Sequence, residues 1–121
     1  MSTEFKIKRI GVPTDFSETA NLAINHAVDI AKRFGAELFL IHVLEAGAYQ
    51  GIFAPSKKTE YDEMEQAQQK LQEDANKLEQ ETGLNVSQTV VSGRIYEEIV
   101  SASNKAGVDL LVMGTHGSSG W

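Results

Sequence analysis

Three glycines and three hydroxyls crowd the stretch LLVMGTHGSSG, where an apolar run gives way to Gly114, Thr115, His116, Gly117, Ser118, Ser119 and Gly120. Glycine lets a backbone amide approach an anion without a Cβ in the way. The hydroxyls add donors, so the spacing suits a phosphate cradle as well as it suits a plain turn. It is not a Walker loop, because the G-K-[ST] ending is absent. The loop also lacks lysine and arginine. Phosphate charge would then fall to amides, to a divalent cation and to a helix N-terminus, itself worth ~0.3–1 kcal/mol per exposed charge. Moderate affinity is the expectation.

A second candidate is VPTDFS, from Val12 to Ser17. If Ser17 caps the following helix, the Asp15 carboxylate is left to point outward, where it could accept ribose hydroxyls or help hold a metal. If Asp15 is itself the cap, it has no such role, and spacing alone leaves both readings open. The three histidines, His26, His42 and His116, lack the short spacing of a metal site. Only His116 sits in a loop where it could serve as a donor near phosphate. No Ser-His-Asp order marks a hydrolytic triad.

These residues need elements to hold them. KIKRIGVP opens as a strand, ended by the missing donor of Pro13. From Ser17 onward Ala20, Ala23, Ile24, Ala27, Ala31 and Phe34 recur at helical spacing, with Gly35 as the stop. AELFLIHVL is a nearly continuous apolar run, as expected of a strand covered on both faces. The segment Glu45 to Lys58, with Tyr49, Ile52 and Phe53, reads as a long loop. A capping box at Thr59 to Asp62 predicts the next helix start, and Tyr61, Met64, Leu71, Ala75 and Leu78 mark its core face. Its Glu- and Gln-rich face from Glu65 to Glu81 reads as solvated surface. LNVSQTVVSG predicts a shorter, more polar strand at a sheet edge. Ile95, Ile99 and Ala102 define a third helix before Gly107, and VDLLVM a second fully buried strand.

The order βαβαβαβ demands a parallel sheet with helices on both faces. In such sheets ligands bind beyond the carboxyl ends of the strands, where strand order reverses. The loops carrying Asp15 and Gly114 are placed for that.

The 121 residues fit one domain, with no internal repeat or linker. A net charge of −6 disfavours nucleic acid as partner. The chain has no cysteine, so disulfides and thiolate metal sites are excluded. Neither a signal-type segment nor a stretch of membrane-spanning length is present, so a cytoplasmic protein without membrane attachment is expected.

Over nearly its whole length the chain resembles the universal stress protein family. The resemblance rests on RIGVPTDFSETANLAINHAVDIAKRFGAELFLIHV and on SGRIYEEIVSASNKAGVDLLVMGTHGSSG. It implies an open, twisted, Rossmann-like parallel sheet in a single domain, residues 1–121. Four strands are present, and the last helix and fifth strand would fall beyond Trp121. It also implies ATP, with Mg²⁺, bound between the first and fourth strands. Carried over, Pro13, Thr14 and Asp15 border adenine and ribose. Val43 meets adenine through its backbone, and Met113, Gly114, His116 and Gly117 line the ribose-phosphate path. Of the family motif G-x-x-G-x9-G-[ST], the chain holds Gly114 and Gly117, the second half falling beyond Trp121.

The implied function is that of an ATP-binding stress-response regulator that forms homo-oligomers. The alternatives are a dimerising module without nucleotide and a slow ATP hydrolase. A phospho-acceptor receiver does not fit, because the first strand lacks a carboxylate pair and the third ends in Val90, Val91 and Ser92.

Overall fold

The computed structural model describes residues 6–45 and 57–114. Strand β1 (Arg9–Pro13) leads into helix α1 (Glu18–Phe34) and strand β2 (Glu37–Glu45). Helix α2 (Lys57–Thr82), strand β3 (Val86–Gly93), helix α3 (Ile95–Ala106) and strand β4 (Leu110–Leu111) follow. The strands are parallel, in the order β3-β2-β1-β4. The alternating order and the polar edge strand expected from the sequence are both present.

Alternation along the strands divides the core in two. Ile10, Val12, Leu38 and Leu40 face one side and pack with Ala27, Ala31, Leu71 and Ala75 of α1 and α2. Phe39, Ile41 and Val43 face the other and pack with Ile99 and Ala102 of α3. The sheet is therefore covered on both sides, which is why β2 reads as an unbroken apolar run.

Helix α1 begins and ends as its sequence indicates. The Ser17 hydroxyl accepts from the Ala20 amide at 3.1 Å, and Gly35 closes the helix at φ 67°. Two apolar residues expected in the core are not there: Phe34 is 54% exposed and Tyr61 69%. Both sit near a helix end: Phe34 is the last residue of α1, and Tyr61 lies in the first two turns of α2.

Two further expectations are corrected. Thr59 lies inside α2, which starts at Lys57, so Thr59 to Asp62 is not its cap. VDLLVM is half-buried rather than fully buried, because β4 pairs with β1 on one side and no described element covers its other edge. The expected loop from Glu45 to Lys58 lies mostly outside the described residues, its last two residues being helical.

β4 is anchored by charge. Asp109 Oδ2 accepts from the amides of Lys8 at 2.8 Å and Arg9 at 3.1 Å, while the Asp109 amide donates to the Arg9 carbonyl at 2.9 Å. The two amide donors hold the Asp109 carboxyl below its ordinary range. The Arg9 guanidinium bonds Glu37 Oε2 at 2.9 Å and also donates to the Ala106 carbonyl at the end of α3, where cations are favoured.

α2 is polar over most of its surface, and Leu71, 0% exposed, is the largest of its buried anchors. Leu71→Ala is expected to cost about 2–5 kcal/mol. Phe34→Ala and Tyr61→Ala should stay within about 0.5 kcal/mol of the parent. Urea denaturation of the three variants checks the contrast.

Candidate functional site

Strand order reverses at β1, with β2 and β3 on one side of it and β4 on the other. A crevice opens at that reversal. Pro13, Asp15 and Ser17 line it from the β1–α1 turn, Thr19 from the first turn of α1, and Met113 and Gly114 from the continuation of β4. The space enclosed among these residues is about 10 Å³, room for about one water.

The β1–α1 turn is built from the inside. The Thr14 amide makes the last bond of the β1–β2 ladder, to the Ile41 carbonyl at 2.8 Å. The Thr14 carbonyl then turns to Nδ1 of His42 at 2.7 Å. A carbonyl can only accept, so Nδ1 carries the proton. Oγ1 of Thr14 accepts from the Phe16 amide at 3.0 Å. Phe16 adopts φ 66°, a left-handed conformation costing an L-residue roughly 1–2 kcal/mol. Its ring stacks on His42 with centroids 4.5 Å apart, and Lys70 Nζ sits 5.6 Å from its centroid. These contacts hold the strained residue in place.

The effect falls on Asp15. Ser17 takes the capping role, and Asp15 Oδ1 accepts from the Ser17 amide at 3.0 Å. Asp15 thus fixes the helix entry while lining the crevice. Thr14, 1% exposed, lies beneath the turn and shapes it.

Val43 is 3% exposed and its side chain packs in the α3-side core. Its backbone is the informative part. Ile41 bonds toward β1, so by the alternation of the ladder Val43 also turns its amide and carbonyl to that side. β1 ends opposite Ile41. A donor and an acceptor of one residue therefore face the β1 side just past the end of that strand.

Gly114 has a packing role as well. A Cβ there would lie 2.7 Å from Thr19 Cγ2 and 3.0 Å from the Thr19 carbonyl oxygen. Only glycine lets this backbone pass so close to α1. Thr115, His116, Gly117, Ser118 and Ser119 lie outside the described residues. Among the described residues no group of three His, Cys, Asp or Glu could hold a metal. Asp15 is the one carboxylate among the described lining residues. That fits a Mg²⁺ carried mainly by phosphate and water, as Mg²⁺ usually is.

His42 and Phe16 are the residues shaping the candidate site that spacing did not reveal. The signal for His42 was one polar residue inside LFLIHVL. Burial lowers its pKa from 6.5, outweighing the Thr14 carbonyl and the Asp15 charge, which raise it.

A parallel α/β sheet with helices on both faces and its crevice at the switch point defines a Rossmann-like class of fold, whose ligands sit beyond the carboxyl ends of the strands. The model of the universal stress protein family matches residues 6–121. Universal stress protein MJ0531 of Methanocaldococcus jannaschii is 34% identical over 115 residues, covering 93% of this chain and 67% of that protein. UspA from Lactobacillus plantarum superposes with a TM-score of 0.72 at 26% identity, covering 95% of this chain and 81% of that one. The chain belongs to the universal stress protein family. A family structure in complex with cAMP shares the fold, with a TM-score of 0.60 at 18% identity over 88% of this chain and 71% of that one. The family thus includes members that bind nucleotides. No described helix is long and apolar enough to cross a membrane.

Because folding lowers the His42 pKa, the unfolded chain takes up that proton more readily. Its contribution is intact above about pH 6.5 and is lost as pH falls from there through the folded-state value. Thermal melts from pH 7.5 down to about 4.5 should show Tm declining, and His42→Gln should flatten that part of the profile. At the other wall, Gly114→Ala is expected to cost about 1–3 kcal/mol. Thr19→Ser in the same chain should recover only part, since the clash with the Thr19 carbonyl persists. Chemical denaturation of single and double variants measures both.

Proposed function

We propose that this protein binds an adenine nucleotide, ATP with Mg²⁺, between β1 and β4, and regulates a stress response through nucleotide-dependent shape or partner choice. The observation that carries the reading is the backbone of Val43, turned to the β1 side just past the end of that strand, next to the turn that presents Asp15. Adenine offers an exocyclic amine donor next to a ring-nitrogen acceptor, so one residue's carbonyl and amide can read it. Asp15 would accept the ribose hydroxyls, with Pro13 and Thr14 shaping that wall. Met113, Gly114, His116 and Gly117 would follow the ribose to the phosphates, and Asp15 or water would meet Mg²⁺. That a universal stress protein has been solved in complex with cAMP supports a nucleotide as the class of ligand.

The proposal extends to a single domain over residues 1–121, acting in the cytoplasm as a homo-oligomer. Slow or absent hydrolysis fits, since the described lining residues assemble no acid–base pair around a water site. A second reading, a module that binds no nucleotide, draws support from the small enclosed volume of about 10 Å³.

Isothermal titration with ATP and Mg²⁺ decides between them. ATP should bind, and Asp15→Ala should weaken it by about 10- to 100-fold, the worth of hydrogen bonds to a charged group, while its melting profile stays cooperative. Absence of heat with ATP, ADP and cAMP alike would leave the module reading. Unchanged affinity in Asp15→Ala would remove the ribose role.

A further inference from the structure

β3 pairs with β2 alone among the described strands, so one of its edges carries backbone groups without a ladder partner. The register identifies them. Leu38 stands opposite Val86 and donates to the Asn85 carbonyl. In a parallel ladder Ser87, Thr89 and Val91 then bond toward β2, while Val86, Gln88, Val90 and Ser92 turn their amides and carbonyls outward. The Val86 amide is taken by Glu79 Oε2 at 3.1 Å. Gln88, Val90 and Ser92 form the rest of the edge.

Natural sheets blunt such edges with lysine, proline or a bulge. β3 reads VSQTVVSG, without proline or charge, and its register with β2 is unbroken from Val86 to Gly93. Beside it runs an open groove of about 650 Å³, lined from α2 by Glu65, Glu73 and glutamines and from β3 by Gln88 and Val90. No cation is among its lining residues, and Gln88 Nε2 bridges it to Gln72 Oε1 at 2.9 Å. This is the face whose sequence reads as merely solvated.

We infer that the β3 edge docks an extended, basic segment of a partner protein. The segment adds as an outer strand, and its alternate lysine or arginine side chains lie along the Glu65–Glu73 groove. Charge selects this occupant over a second copy. The eight acidic residues of α2 outnumber its four lysines, and pairing two β3 edges would set two such helices side by side. The inference is independent of the nucleotide reading, because β2 and β1 separate this edge from the crevice.

The test uses the full chain and fluorescent peptides of alternating Lys and Val, alternating Glu and Val, and alternating Lys and Val with every second amide N-methylated. The basic peptide should bind at least about tenfold tighter than the acidic one. At saturation it should slow hydrogen exchange at the Gln88 and Val90 amides. Gln88→Pro removes an outward donor and spares the β2 ladder, so it should weaken binding about fivefold or more. Gln88→Ala, which loses only the bridge to Gln72, should change it less than about twofold. Should Gln88→Pro fail to fold, the double reversal Glu65→Lys with Glu73→Lys should transfer the preference to the acidic peptide. Equal binding of basic and acidic peptides, indifference to N-methylation, or unaltered exchange at Gln88 and Val90 would overturn the inference. So would a dimer in light scattering that Gln88→Pro dissociates, since the edge would then belong to a second copy.

Discussion

The bond from His42 to the Thr14 carbonyl is the constraint on which the candidate site depends. At Thr14 the chain must leave the sheet, and it must do so in the interior. A buried carbonyl without a partner would cost about 1–3 kcal/mol. His42 removes that cost with a side chain, one residue past the point where β1 stops pairing. The same imidazole offers its face to Phe16, which compensates the left-handed turn. Ser17 and Asp15 can then close the helix entry. Geometry at the rim is thus set from beneath, by residues facing away from solvent.

The opposite wall follows from a steric requirement. Gly114 brings the strand end against Thr19, so the two walls touch through backbone. A crevice so made is narrow, and backbone forms part of its walls. Backbone groups do not change with rotamer, which suits recognition of a planar base and an anion. They also supply little charge, consistent with the absence of lysine and arginine from LLVMGTHGSSG.

Much of this was legible in sequence because local signals and tertiary demands agree in α1. The helical apolar spacing, the Ser17 cap and the Gly35 stop each mark what the fold uses. The polar edge strand was legible because half-buried strands tolerate Ser, Gln and Thr. Phe34 and Tyr61 were misread because periodicity reports a face and not whether the helix is packed at its ends. VDLLVM was misread because an apolar run does not say whether both ladder edges are filled. Asp15 was left between two roles, and the fold gives it part of each: Ser17 caps, yet Asp15 still holds the turn. His42 stayed hidden because its partners, Thr14 and Phe16, are remote in sequence and become neighbours only when β1 and β2 pair.

The clamp of Asp109 on the amides of Lys8 and Arg9 bears on the order of folding. β1 meets β2 across 28 residues, as the pair Arg9 and Glu37 shows, but meets β4 across about a hundred. Loop closure of the second kind comes at greater entropic cost and later reward. During synthesis β1 can therefore join β2 under α1 well before its other side finds a partner. Until Asp109 emerges, that side is an unpaired strand edge, the feature by which nascent parallel sheets associate wrongly. A carboxylate that seizes two amides at once shortens the life of that exposed edge.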